Sequence, residues 1–325
     1  VAALVAAPGA AAQQTTTTKT TTDDVTESPP VVRVKAQLSI KLERVNGKQR
    51  VALAGTRVRV RGHVSKFVPG QHVTVRVYRS NRKLVARRVL IKQVGTTSAG
   101  RFVVGFAAPG SGKLVVRASH RRTATLDKMV APPQRFRVLE RKAGPGSAGI
   151  VVRLLQQQLS SLGYVVGVPG QYDARTARAV HAFRKLTGMD RNYLATREVF
   201  DRLARGAGAY RVRYPDHGRH VEADLTHQVL ALIDGGKVQR IYPMSSGKPS
   251  TPTVLGSFRV YSKTPGTNQK GMVFSSYFIR GYAIHGYASV PPYPASHGCL
   301  RVPVPDAVPI YNWIGWGDRV DVYYR

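Results

Sequence analysis

Cysteine occurs once among the 325 residues, as Cys299. A lone thiol excludes an intramolecular disulfide framework and is compatible with an exported protein whose thiol stays free. No CxxC pair and no HExxH is present, which removes the commonest spacings of zinc ligands. No segment approaches about eighteen uninterrupted apolar residues, so none is long enough to span a bilayer as a helix. Acidic residues are scarce, 17 Asp and Glu against 50 Lys and Arg, for a formal charge of +33. Such a balance favours anionic partners, or simply keeps a chain soluble. The apolar share, 42%, is that of a globular protein, and the length allows two or three domains with cores of their own.

The chain divides by composition. Val1 to Ala7 is apolar and Ala10-Ala11-Ala12 before Gln13 resembles a small-residue cleavage site, so residues 1–30 are expected to be a signal remnant followed by a Thr-rich, Pro-ended linker. The expected location is therefore outside the cytoplasm, at the cell wall or the outer face of the membrane. From 31 to 140, runs such as Val58-Arg59-Val60-Arg61, Val73-Thr74-Val75-Arg76-Val77-Tyr78 and Leu114-Val115-Val116-Arg117 alternate with period two. Turn markers at Pro69-Gly70, Asn81-Arg82 and Pro109-Gly110-Ser111-Gly112 separate them. The pattern predicts an antiparallel β-sandwich with one wet face, similar in general look to immunoglobulin-like modules. Residues 31–142 hold 27 Lys and Arg against three acids, Glu43, Asp127 and Glu140. Few aromatics interleave for stacking and no reader motif is present, which argues against nucleic acid. With export, the expected partners of this module are anionic wall polymers or lipid head groups.

Residues 144–208, bounded by Gly144-Pro145-Gly146 and Gly206-Ala207-Gly208, change to helical spacing. Val151, Leu154, Leu155, Leu159 and Leu162 mark a first helix, Ala177, Val180, His181 and Phe183 a second, and Val199, Phe200 and Leu203 a third. Asp173 and Thr196 are the expected caps of the second and third. His181, on an apolar face, reads as a packed histidine rather than a ligand. The order Leu155-Gln156, Leu162-Gly163-Tyr164, Gln171-Tyr172-Asp173, Thr176 and Phe183 resembles the small three-helix peptidoglycan-binding domain. The resemblance implies a groove for glycan or stem peptide.

Cys299 lies in Ser296-His297-Gly298-Cys299-Leu300-Arg301, and His285-Gly286 stands 14 residues upstream. An isolated cysteine is most often a small buried hydrophobe. This one sits beside His and Gly, after Pro291-Pro292 and Pro294, in a loop-like segment that favours exposure. A nucleophilic thiol needs a base and an oxyanion pocket, which His285 and the turn at Gly298 could supply. His285, His297 and Cys299 are also competent zinc ligands, although a structural site wants four.

These residues resemble the active-site signature of the L,D-transpeptidase catalytic domain (YkuD type). The likeness extends upstream through Val221-Glu222-Ala223-Asp224-Leu225, Gln228-Val229-Leu230, Ser245-Ser246-Gly247-Lys248, Thr253 to Phe258 and Lys263, covering residues 218–325. The interval from His285 to Cys299 is shorter than in many members of the family, which bears on the loop over the site. The resemblance implies Cys299 as nucleophile, His285 as general base, the Gly286 carbonyl as its orienting partner, and the N–H groups of His297, Gly298 and Cys299 as oxyanion hole. Arg301 would order the pocket or meet a substrate carboxylate, and an ordinary solvated arginine is the plain alternative. Ser296 would shape the loop and stands with Arg301, Tyr287 and Tyr293 as a residue of the substrate side. Tyr287, Tyr293, Met272 and Phe274 would wall the pocket, or pack in the core.

The fold expected is multidomain: a sandwich, a three-helix unit and a mainly-β catalytic domain. Its strands are expected at 228–233, 237–242, 258–261, 277–279, 282–284 and 319–323. Its helix is expected at 306–314, capped by Asp306 with Pro309 in the first turn. The implied activity is an exported enzyme that forms a cysteine acyl-enzyme with peptidoglycan stem peptides and passes it to an amine, with no cofactor and no metal. Water as acceptor would make it an L,D-carboxypeptidase, and loss of activity would leave a wall-binding scaffold.

Overall fold

The structure, a computed structural model, describes residues 33–45 and 50–325. The expected signal remnant and linker at 1–30 lie outside the described residues.

Alternation builds the first module. The strands are β1 (Leu38–Glu43), β2 (Val51–Leu53), β3 (Arg57–Val64), β4 (His72–Arg79), β5 (Arg82–Leu90), β6 (Lys92–Gln93), β7 (Gly100–Ala107), β8 (Gly112–His120), β9 (Met129–Val130) and β10 (Gln134–Leu139). They form one sheet in the order β1-β3-β7-β6 and another in the order β2-β10-β8-β4-β5, with β9 beside β8. All pairings are antiparallel except β2 with β10. Val58, Val60, Val73, Val75, Val77, Leu114 and Val116 point between the sheets and are buried, while the intervening arginines and lysines point to water. This is the Ig-like sandwich that period two predicts.

Three helices follow: α1 (Ile150–Ser161), α2 (Ala174–Leu186) and α3 (Arg197–Ala204). Asp173 caps α2 as expected, its carboxylate accepting the Thr176 N–H at 2.8 Å. Thr196 does occupy the N-cap of α3, but its hydroxyl makes no cap bond. On α1 the buried positions are Val152, Leu155, Gln156 and Leu159, so Val151 and Leu154 sit one step off the core face. Gln156 is a buried tie: its NH₂ group shares two protons among Val168 O, Gln171 O and Thr176 Oγ1, and its Oε1 accepts the Gly170 N–H, fixing the α1–α2 loop. His181 is packed, 4.7 Å from the Tyr193 ring.

The third module comprises β11 (His220–Asp224), β12 (Val229–Asp234), β13 (Lys237–Pro243), β14 (Gly256–Arg259), β15 (Ser262–Thr267), β16 (Val273–Ile279), β17 (Tyr282–Tyr287), β18 (Leu300–Pro303), α4 (Val304–Trp313) and β19 (Arg319–Tyr323). One sheet runs β13-β12-β11-β19-β14 and the other β15-β16-β17-β18. The β12–β13 hairpin turns at Gly235 and Gly236, both with positive φ. Two expectations need correction. Helix α4 begins at Val304 with Pro303 at its N-cap, so Pro309 falls inside it rather than in its first turn. Asp306 is not a cap: it is buried and holds Arg178 of α2 in a two-pronged pair at 2.7 and 2.8 Å.

That pair belongs to a closed seam between the helical unit and the catalytic module. In β12, Val229, Ala231 and Ile233 pack among the helices while Leu230 and Leu232 pack in the catalytic core. A strand apolar at five successive positions is what a sheet covered on both faces requires. Lys185 of α2 is buried in the seam, its ammonium donating to Gln228 O (3.1 Å) and Met244 O (2.8 Å).

Candidate active site

Strands β17 and β18 run parallel, with Ile284 opposite Leu300 and His285 opposite Arg301. Register partners share a face. Cys299 stands in the bend just before β18, and its thiol meets the backbone of Ala283 on β17, two residues before His285. The alternate residues Ile284 and Leu300 turn into the core. Strand pairing thus brings together a histidine and a cysteine that the sequence sets 14 residues apart.

His285 is 3% exposed, and its Nδ1 lies 2.9 Å from Gly286 O. A carbonyl only accepts, so Nδ1 carries the proton and the neutral ring keeps its lone pair on Nε2. Burial holds the imidazole below its ordinary pKa; the Gly286 carbonyl opposes that shift and the Arg301 charge adds to it. Burial likewise pushes the Cys299 thiol up, against the Ala283 N–H and the charges of Arg301 and Lys270. Both shifts favour a neutral thiol beside a neutral base at rest, instead of a preformed thiolate–imidazolium pair.

Gly298 has φ +115°, and a Cβ there would stand 2.5 Å from the Tyr282 ring, so only glycine fits the turn that presents Cys299. Its N–H is bonded to Ser296 Oγ at 3.1 Å, which corrects the expected oxyanion hole. Of the three amides expected, those of His297 and Cys299 remain as candidate donors, and Gly298 serves conformation. Ser296 is fully buried and its hydroxyl donates to Cys299 O at 2.6 Å. It therefore clamps the loop from inside and does not face substrate. His297 is exposed on the loop surface.

Arg301 is no ordinary solvated arginine. Its guanidinium lies over the Tyr287 ring at 4.1 Å, and Tyr287 meets the His285 ring edge-on at 5.7 Å. The backbone of Arg301 exchanges two 2.9 Å hydrogen bonds with Ser245. Tyr293 stands out at the rim, 59% exposed, with its carbonyl held by Ser245 Oγ at 2.7 Å. Phe274 packs edge-on against Tyr311 of α4, so it supports the core rather than the pocket wall. Met272 is buried at the end of a loop that Asn268 ties through hydrogen bonds to Lys270 and Met272. That loop brings Lys270 toward the thiol, a neighbour that the sequence did not single out. Also missed was Arg191 of the helical unit, which donates to Pro292 O (2.6 Å) and Thr226 O (3.2 Å) and so braces the segment leading to Cys299. No local signal marks it, because the Pro292 contact spans 101 residues. Among the described residues no three His, Cys, Asp or Glu side chains are grouped as a metal site.

Comparison with known proteins agrees with this arrangement. The family profile described as the L,D-transpeptidase catalytic domain matches residues 218–322, and that of a peptidoglycan binding domain matches 149–193. The crystal structure of the L,D-transpeptidase (residues 123–326) from Xylanimonas cellulosilytica DSM 15894 is 33% identical, covers 56% of this chain and 98% of its own, and has a TM-score of 0.51. The catalytic domain of the Enterococcus faecium L,D-transpeptidase is 26% identical over 33% of this chain and 98% of its own, with a TM-score of 0.29. An L,D-transpeptidase from Mycobacterium smegmatis is 13% identical over 88% of this chain and 99% of its own, with a TM-score of 0.30. A search of curated proteins gives no match. With the His–Cys site, the helical unit packed on its module and a relative at 33% identity matched over nearly its whole length, the chain belongs to the L,D-transpeptidase family, enzymes that act on peptidoglycan.

Proposed function

We propose that the protein is an exported L,D-transpeptidase that cross-links stem peptides through an acyl-enzyme on Cys299. The thiol attacks the carbonyl carbon of the L-centre at the third stem residue while Nε2 of His285 takes its proton. The oxyanion forms against the N–H groups of His297 and Cys299. As the intermediate collapses, His285 returns the proton to the departing amine of the terminal D-residue and a thioester remains. The amine of a neighbouring stem then attacks, loses its proton to His285, and the new amide forms as the thiol is restored. Arg301, held over Tyr287, is placed to meet a stem carboxylate with its planar fork. The basic sandwich would hold the enzyme near anionic polymers or lipid head groups by charge.

One observation carries this reading: the Nδ1 contact to Gly286 O leaves the Nε2 lone pair free on a neutral, buried imidazole of the same strand whose Ala283 backbone meets the Cys299 thiol. The test is incubation with disaccharide-tetrapeptide fragments and product identification by mass spectrometry. A cross-linked dimer with loss of one terminal D-residue is expected. A shortened monomer alone would make water the acceptor, and turnover surviving in Cys299→Ala would overturn the nucleophile.

A further inference from the structure

A cavity of about 440 Å³ opens at the end of β4 and β8 in the basic sandwich, far in sequence from Cys299. Arg76, Arg88 and Arg121 line it, together with Gln71, Thr74 and His120, and no carboxylate is among its lining residues. The register explains the convergence: Thr74 on β4 faces Arg88 on β5 and Ser119 on β8, and Arg76 follows Thr74 on the same outward face.

Two of these residues are buried yet incompletely paired. Gln71 is 5% and His120 3% exposed. Gln71 Nε2 and His120 Nδ1 have no hydrogen-bond partner among the described residues. The amide orientation of Gln71 follows from its Oε1, which accepts the Val68 N–H at 3.4 Å and leaves the NH₂ group as the free donor. Buried polar groups are seldom left unpaired, so two of them among the lining residues of one cationic cavity mark its wall as polar. Burial, opposed by a hydrogen bond from the ring to the Asp127 backbone, keeps His120 below its ordinary pKa, so the full charges come from the three guanidiniums. Arg76 is positioned by its own bond to Ser119 Oγ at 3.0 Å.

We infer that this cavity binds a phosphoryl group carrying a small organic substituent, such as the glycerol or sugar phosphate unit of a wall polymer or of a lipid head group. Guanidiniums, an amide and hydroxyls around one concavity match a tetrahedral oxyanion, and the volume lies in the range of about 300–1,000 Å³ typical of small-molecule sites, leaving room beside a lone phosphate. The site stands apart from the chemistry at Cys299, so its test uses no turnover.

The full-length protein is titrated calorimetrically with glycerol phosphate and with inorganic phosphate, and separately sedimented with phosphatidylglycerol vesicles and with phosphatidylcholine vesicles. One-to-one binding of glycerol phosphate, tighter than inorganic phosphate, is expected. Arg88→Gln with Arg121→Gln should weaken it at least about tenfold, because each removes a charge-assisted contact, and both side chains are exposed enough to leave the melting temperature unchanged. Arg135→Gln with Arg137→Gln, an equal loss of charge on the outward face of β10, should leave it unchanged. Vesicle binding lost in the first variant and kept in the second assigns the phosphoryl group to a lipid; soluble binding without vesicle binding assigns it to a polymer. Equal loss in both variants, inorganic phosphate bound as tightly as glycerol phosphate, or no binding of glycerol phosphate at millimolar concentration overturns the inference.

Discussion

The arginines of the sandwich and those of the helical–catalytic seam are the same residue in opposite circumstances. Residues 31–142 carry 27 cations against three acids, so most have no carboxylate to meet. The pairs that form within it lie at the surface: Arg59 and Arg61 share Glu43 at 3.5 and 2.7 Å, and Arg122 stands 3.9 Å from Asp127. The exception is Arg141 at its edge, mostly buried against Asp201 of the helical unit. Residues 143–325 carry 22 cations against 11 acids, and here Arg178 closes two short hydrogen bonds on a buried Asp306. Charge on the sandwich is a field available to outside anions, whereas in the seam it is consumed internally in fixing one module against another.

The largest break between the regions is functional. Cys299→Ala is expected to abolish transfer on a soluble tetrapeptide fragment, and His285→Ala to slow it by at least about two orders of magnitude. Arg135→Gln with Arg137→Gln should leave the same assay unchanged. Loss of activity in the sandwich variant would show that its charge reaches the reaction.

Next in size is the buried pair. Asp306→Ala leaves Arg178 without its partner and should cost about 3–5 kcal/mol in urea unfolding. A loss below about 1 kcal/mol would place this pair with the surface ion pairs of the sandwich and erase the distinction.

A smaller, pH-dependent effect belongs to Lys185. Burial, with the Arg191 charge adding, lowers its pKa to about 7. The unfolded lysine keeps its proton up to about pH 10.4, so between the two values the unfolded chain binds more protons and stability rises with pH. Urea midpoints at pH 7 and pH 9.5 should differ in the wild type, and Lys185→Met should flatten that rise. An unchanged slope in the variant would assign the pH dependence elsewhere.

The smallest effect is expected on the sandwich itself. Arg135→Gln with Arg137→Gln should shift its stability by no more than about 0.5 kcal/mol, since both point to water from β10.

Local features of the fold were legible wherever a residue acts on its own neighbours. Alternation at Val58–Arg61 and Val73–Tyr78 marks strands, Asp173 caps α2 and Gly235-Gly236 turns the β12–β13 hairpin. Asp306 fails the same reasoning, because Arg178, 128 residues away, claims its carboxylate and no helix-start pattern records that. At the site, the Nδ1 contact to Gly286 O agrees with the orienting partner that the family resemblance implied. The oxyanion donors were misjudged at Gly298, since the commitment of its N–H to Ser296 depends on the loop's folded shape.

By itself the sequence determined which groups are present: one thiol, a histidine set one strand away, a glycine where only glycine fits, and a cationic module nearly without acids. Only the tertiary structure decided their states. Desolvation by distant residues raises the Cys299 thiol and lowers His285 and Lys185, strand register faces His285 toward Arg301, and the sandwich fold gathers Arg76, Arg88 and Arg121 around one cavity. Burial and proximity between residues far apart in the chain are properties of packing, and local sequence pattern carries neither.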